Sequence, residues 1–308
     1  MEGPADTLAK TLEAREWAGR VVPIVRLRNL RQGIVGARDR GLIDEMLFDD
    51  ELSDLDYSAP PELPDARSLI VIATPAPACR LTFEWRGQTI AVTIPPTYVD
   101  AVSIRERVRA AAAEALDGDG HRVLLATVPL KPLAVGSGLA RYGKNNITYV
   151  DGMGSFHRLT GLFSDMPAPR SEWKRRPSLG LCGRCTACLT ACPTGAITAS
   201  RFMLHAERCL TYFNENETRV PEWVPPDAHE CLVGCMRCQS ACPENRAVLD
   251  RIEDGPSFSE GETKLLLAGV PYEELPDETA AKWDALELTE DLAIIERNLG
   301  LVLQASDR

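Results

Sequence analysis

The residues able to do chemistry are gathered in one stretch. Of the ten cysteines in this 308-residue chain, nine fall between Cys182 and Cys242, and Cys79 stands apart. The first run is Cys182-Gly-Arg-Cys185-Thr-Ala-Cys188-Leu-Thr-Ala-Cys192-Pro193, a C-x2-C-x2-C-x3-C-P pattern. The second, Cys235-Met-Arg-Cys238-Gln-Ser-Ala-Cys242-Pro243, keeps C-x2-C-x3-C-P but lacks a cysteine three residues upstream of Cys235. Thiolates at this spacing in a tight loop can wrap one face of an iron–sulfur cube, with the loop's N–H groups aimed at the sulfides. The cysteine before proline turns away and ligates the other cube. The spacing therefore predicts two [4Fe-4S] clusters with crossed ligation. Cys182, Cys185, Cys188 and Cys242 would hold one. Cys192, Cys235 and Cys238 would hold the second, with Cys209 or Cys231 as fourth ligand. Two structural zinc sites are the competing reading, but zinc ribbons pair C-x2-C units and do not add a third cysteine followed by C-P. Disulfides are not expected where thiols stay reduced. Cys79 and the cysteine left over read as buried thiols.

Two clusters occupy only part of the chain, so other elements must position them. Ser68 to Thr74 is a continuous apolar run that predicts a buried strand. Leu81 to Trp85 and Thr89 to Ile94 alternate around Arg86-Gly87 and predict a hairpin. Residues 98–116 predict a helix ended by the Asp-Gly-Asp-Gly at 117–120, and His121 to Val128 a further strand. A glycine-punctuated stretch follows at 129–146, then a short strand at Ile147 to Val150. The mixture predicts an α/β layered domain over 1–170. Residues 165–178, with Pro167, Pro169, Pro177 and the basic Lys174-Arg175-Arg176, read as a linker. A ferredoxin-like double-cluster domain is expected over 171–250. Residues 251–308 are expected as a short helical tail packed on a neighbour, opened by the capping box Ser259-x-x-Glu262. In that tail Leu288, Leu292, Ile295, Leu299 and Val302 repeat at helical spacing.

Composition narrows the classes. The chain is 44% hydrophobic and 26% charged, values of a soluble globular protein. No apolar run is long enough to span a bilayer. Residues 1–20 show no signal-peptide core, so a cytoplasmic location is expected. A net charge of −11 does not suit a general nucleic-acid binder.

The sum of these features resembles the epoxyqueuosine reductase family, corrinoid-dependent reductases with two [4Fe-4S] clusters. The matching pieces are Ala66-Arg-Ser-Leu-Ile-Val-Ile-Ala73, Ser137-Gly-Leu-Ala-Arg-Tyr-Gly-Lys-Asn-Asn146, Gly154-Ser155, Arg208-Cys209-Leu-Thr-Tyr212 and Gly234-Cys-Met-Arg-Cys-Gln-Ser-Ala-Cys-Pro243. The resemblance runs over about residues 60–250. It implies Cys209, not Cys231, as the fourth ligand of the second cluster. It also implies a nitroreductase-like, corrinoid-binding N-terminal domain to which the clusters deliver electrons one at a time. Ser137, Gly138, Arg141, Asn145, Thr148, Ser155 and Thr211 would contact the cobalamin, and glycines 136, 138, 143 and 152 would let backbone approach it closely.

Three departures bear on function. The family's proton-donor aspartate lies just upstream of the glycine-rich segment, where this chain has Leu124-Leu-Ala-Thr-Val-Pro129. Tyr142 and Lys144 become the candidate catalytic residues. The helical-repeat extension of many members is missing, which with the net charge favours a small-molecule substrate over tRNA. There is no complete D-x-H-x-x-G: Asp119-Gly-His121 begins it, but Leu124 takes the glycine position. His121, His157, His205 and His229 stay unassigned. The expected function is a cytoplasmic, cobalamin-dependent iron–sulfur reductase, fed by a low-potential ferredoxin- or flavodoxin-type donor and not embedded in a membrane. The alternatives are an electron-transfer or activator protein without corrinoid, epoxyqueuosine reduction on tRNA, and reductive dehalogenation.

Overall fold

The elements follow from where apolar runs must be buried and where glycine and proline interrupt them. In this computed structural model, residues 3–170, 172–175, 177–217 and 219–306 are described. The chain begins with helix α1 (Pro4–Glu13), strand β1 (Ala18–Pro23) and helices α2 (Leu27–Arg38) and α3 (Glu45–Glu51). Strands β2 (Ser68–Pro75), β3 (Ala78–Trp85) and β4 (Gln88–Ile94) come next, then helix α4 (Ala101–Asp117), strand β5 (Val123–Leu125) and helix α5 (Leu130–Gly136). Strands β6 (Arg141–Tyr142), β7 (Thr148–Tyr149) and β8 (His157–Ser164) complete the first half. The cysteine-rich part adds short helices α6 (Ala187–Ala191), α7 (Leu210–Glu215) and α8 (Arg237–Ser240). Strand β9 (Ile252–Phe258) and helices α9 (Glu260–Leu267), α10 (Asp277–Asp284) and α11 (Leu292–Ser306) follow. No helix among the described residues is long and apolar enough to cross a membrane.

Internal contacts divide the chain into two units, Met1–Pro75 with Val102–Cys185, and Ala76–Ala101 with Thr186–Arg308. The first unit is built on a four-stranded sheet of order β1-β2-β8-β5, antiparallel at every pair. Residues 68–74 of β2 are all buried, because helices cover both faces. Alternate residues of a strand point to opposite faces. Ile70 and Ile72, with Leu162 of β8, pack under α1 and α4 against Leu8, Leu12, Ile104, Val108 and Leu116. On the other face α5 packs on β2 and β8. Gly161 of β8 makes room for it: a Cβ there would lie 2.7 Å from the Leu130 side chain. The expected layering of helices and strands is present. The sheet, however, is antiparallel and not built from βαβ crossovers, so the continuous apolar run marks burial on both faces and not a parallel strand.

The second unit holds the hairpin of β3 and β4. Arg86 and Gly87 both have positive φ (52° and 76°), as a two-residue type I′ turn requires. Strand β9 joins the hairpin parallel to β3, from Ala78↔Ile252 to Phe83↔Phe258. Phe258 stacks between Phe83 and Trp283, with ring centroids 4.8 and 4.9 Å apart. Leu288, Leu292, Ile295, Leu299 and Val302 are all buried in the same core.

The contact division thus differs from the one drawn on the sequence at 170 and 250. Residues 78–94 leave the N-terminal half because β9 pairs with β3, and the tail that follows β9 builds the core of the second unit. The proline-bearing stretch 165–178 is more than a linker, since Tyr142 and Ser178 form a β-bridge. Arg176 of its basic triplet lies outside the described residues.

Candidate iron–sulfur site

The local folding of each cysteine loop brings donors to sulfur. In the second unit Cys192 ends α6, and the Thr194 hydroxyl lies 3.6 Å from its Sγ. Burial pushes the Cys192 thiol up, but the Thr194 hydroxyl and the N–H groups of Ile197, Thr194 and Ala196 outweigh it, and the net shift is down. Cys209 caps α7, and burial pushes its thiol up against the pull of the Thr211 N–H and hydroxyl. Burial also drives Cys235 up, to about 12, opposed by the Arg237 N–H and helped by Cys209 and Cys192. Cys192, Cys209 and Cys235 therefore share one electrostatic neighbourhood. Cys231 is shifted up by burial and then by Cys235 and Glu230, and its backbone is tied to Thr93 by a β-bridge. N–H and O–H groups converging on sulfur suit a thiolate cluster, whose negative charge they offset. The residues of this unit therefore fit an iron–sulfur group. Among the described residues no three ligating side chains converge as a single-ion site.

A second layer fixes these loops. Asn214 of α7 donates to the Gly234 carbonyl (2.9 Å), and Asn298 of α11 donates to the carbonyls of Asn214 and Leu232 (3.0 and 2.6 Å). Gly234 has φ +64°, and a Cβ there would meet the Tyr98 ring. The Tyr98 hydroxyl donates to Glu215. The sequence reading missed Thr194, Asn214, Asn298 and Tyr98 as supports. One signal was available: Thr194 and Thr211 each stand two residues after a cysteine and each serve its sulfur. Thr211, expected at a corrinoid, donates to the Cys209 thiol.

In the first unit the glycine-rich segment meets the start of the first cysteine run. The Tyr142 N–H donates to the Pro177 carbonyl and the Leu179 N–H to the Tyr142 carbonyl, both at 2.9 Å. The Lys144 ammonium donates to the Cys185 carbonyl at 2.8 Å. Tyr142 itself is buried. The residues expected at cobalamin mostly bond to other groups of the same unit. The Ser137 hydroxyl donates to Ala134 O, Asn145 donates to the Tyr149 hydroxyl, Arg141 pairs with Asp151, and Thr148 bonds His157 at 3.1 Å. Ser155 is buried. Gly136 is packed beneath Trp173, and Gly143 against Asn145 and Tyr149. Gly152 keeps an open side, and Gly138 meets only the stem of Lys174. Of the other histidines, His121 faces Asp165, His205 faces Glu207, and the buried His229 is kept below its ordinary range by burial.

Residues 181–245 match the family described as a 4Fe-4S double cluster binding domain. The epoxyqueuosine reductase of Yersinia pestis is 36% identical over 130 residues, which are 42% of this chain and 30% of that protein. The solved epoxyqueuosine reductase of Streptococcus thermophilus superposes with a TM-score of 0.68 at 17% identity, over 98% of this chain and 81% of that one. A crystal structure of epoxyqueuosine reductase with an epoxyqueuosine-modified tRNA-Tyr stem loop gives 0.70 at 18%, with the same coverages.

The chain is similar to epoxyqueuosine reductases in its cluster motifs and in its fold. Its sequence match spans 42% of this chain and 30% of the length of the curated relative, and its fold matches over nearly the whole chain. It carries a double [4Fe-4S] cluster domain, with the cysteines of 182–242 as its thiols.

Proposed function

We propose that this chain is a corrinoid-dependent iron–sulfur reductase, epoxyqueuosine reductase-like in architecture and altered in substrate. The observation that carries the reading is the grouping of Cys192, Cys209 and Cys235 under N–H and hydroxyl donors, inside a chain whose cysteine runs match a double-cluster domain. Cys182, Cys185, Cys188 and Cys242 hold one cube, and Cys192, Cys209, Cys235 and Cys238 the other. A soluble donor of ferredoxin or flavodoxin type supplies electrons in the cytoplasm. A corrinoid, when bound, supplies a reduced cobalt centre able to activate the substrate. Support for it in the first unit is limited to the open backbone at Gly152 and to Gly138, which only the Lys174 stem covers, both with φ +78°. The protein's own residues set up the transfer: the loop donors stabilise thiolate, and the α11 asparagine holds the loops. The segment from Leu124 to Pro129, which leads into α5, offers no carboxylate. Tyr142 is the candidate proton donor.

A second reading is reduction of epoxyqueuosine in tRNA. Of the 34 Lys and Arg residues, 22 belong to the first unit, against 21 of the 45 Asp and Glu. That near-balance removes the net-charge objection for this unit, and a solved relative carries a modified tRNA stem loop. The test is anaerobic purification followed by iron and sulfide analysis, then titration with cobalamin and with the modified stem loop. Iron for two cubes plus a base-off cobalamin spectrum is expected. Cubes without corrinoid affinity leave an electron carrier, and cobalamin-dependent turnover of the stem loop selects the tRNA substrate. Zinc in place of iron overturns the reading altogether.

A further inference from the structure

The glycine-rich segment has a role beyond turns. Strand β6 pairs through Tyr142 with Pro177 and Leu179, and the Cys182 N–H then donates to the Leu179 carbonyl at 3.1 Å. The strand that docks on β6 therefore runs straight into the first cysteine run. At the tip between β6 and β7, the Gly143 N–H donates to the Ile147 carbonyl (2.8 Å) and the Asn146 N–H to the Gly143 carbonyl (3.1 Å). Asn146 sits at φ +58°. The buried Asn145 amide closes the tip from inside, accepting from the Ile147 N–H at 3.3 Å and donating to the Tyr149 hydroxyl at 3.0 Å. A Cβ on Gly143 would lie 2.4 Å from the Asn145 Oδ1 and 2.6 Å from the Tyr149 ring. The tip is thus held from several sides, and it presents one flexible cation, Lys144, whose Nζ donates to the Cys185 carbonyl at 2.8 Å.

We infer that Lys144 is a positioning residue that clamps the first cysteine loop through the Cys185 carbonyl and raises the reduction potential of the cube this loop carries. Reducing a cube adds one negative charge and no bond. A half-buried ammonium one peptide from a ligand sulfur stabilises the reduced state more than the oxidised one. The hydrogen bond also fixes the Cys185 peptide, and with it the direction of the neighbouring N–H groups. This inference rests on the iron–sulfur reading above and replaces the proton-delivery role first expected for Lys144.

The test is an EPR-monitored redox titration of the intact, cluster-loaded chain, with iron content measured alongside. Lys144→Gln keeps an N–H donor and removes the charge; Lys144→Arg keeps both. The expected result is full iron in both variants, with a roughly tenfold loss in the reduction equilibrium of one cube in Lys144→Gln, about 59 mV for one electron. The other cube keeps its potential, and Lys144→Arg stays at the wild-type value. Iron loss in Lys144→Gln that Lys144→Arg restores supports the clamp. Iron loss in both variants, or full iron with an unshifted potential in Lys144→Gln, overturns the inference. Wild-type protein without cubes sinks the iron–sulfur reading instead, so the two failures are told apart.

Discussion

A thiol must ionise before it binds iron, so each cysteine is judged by how its surroundings treat the thiolate. Cys192 is the prepared one: three backbone N–H groups and a hydroxyl outweigh its burial. Cys209 and Cys235 are raised by burial and by neighbouring thiols, a penalty that a cationic iron centre between them would reverse. Cys231 is almost fully buried, and Cys235 raises it further. Cys209, in whose field Cys192 lies, is the proposed fourth ligand, which spacing alone left open. Cys209→Ala is expected to lose about half the iron and sulfide and one of two EPR signals, while Cys231→Ala keeps both. Iron loss confined to Cys231→Ala would exchange the two assignments. The cysteine pattern was legible because ligand spacing is dictated by a cofactor of fixed size. Thr194 and Thr211 carried only a local signal, two residues after a cysteine, and Asn214, Asn298 and Tyr98 carried none, because a residue that supports a loop obeys local geometry and leaves no long-range pattern.

Elements were legible where one force dominated. The β3–β4 hairpin shows alternation and a turn able to take positive φ, and β2 shows an unbroken apolar run. The capping box before α9 also formed, with the Glu262 N–H donating to the Ser259 hydroxyl and the Ser259 N–H to the Glu262 carboxylate. Residues 129–146 gave no period, since α5 and β6 are too short to complete one and their order comes from tertiary partners. The β7–β8 connection depends on such a partner, His157. Its Nδ1 lies 3.0 Å from the Gly154 carbonyl, which can only accept, so the proton sits on Nδ1 and Nε2 accepts from the Thr148 hydroxyl at 3.1 Å. Burial lowers this imidazole to about 4, opposed by the Gly154 bond and assisted by a smaller effect of Lys131. The sign follows. Between about 6.5 and about 4 the unfolded chain takes up a proton at this position and the folded chain does not, so stability falls as pH falls and levels off below the lower value. The loss reaches about 3 kcal/mol at most. His157→Asn should show a flatter acid limb than wild type in urea unfolding between about pH 7.5 and about pH 5. Parallel curves would show that His157 titrates in the folded state as it does in the unfolded one.

At the scale of the molecule the charge is not spread evenly. The first unit holds 22 basic and 21 acidic residues, the second 12 and 24. The sequence hid this asymmetry because each unit is assembled from two separated stretches, and a running average mixes them. Six of the eight proposed cluster ligands, from Cys188 onward, belong to the acidic unit. An electron donor approaching those cubes therefore meets a negative field, and the sign of its own surface decides the rate. With a negatively charged flavodoxin- or ferredoxin-type donor, like charges repel over a Debye length of about 30 Å at 0.01 M salt and about 8 Å at 0.15 M. Added salt should then speed cluster reduction several-fold in anaerobic stopped-flow measurements, whereas a positively charged donor should slow. A rate with the negative donor that falls with salt would mean that docking takes place on a basic patch. The arginine-bearing first unit would then be the entry side for electrons.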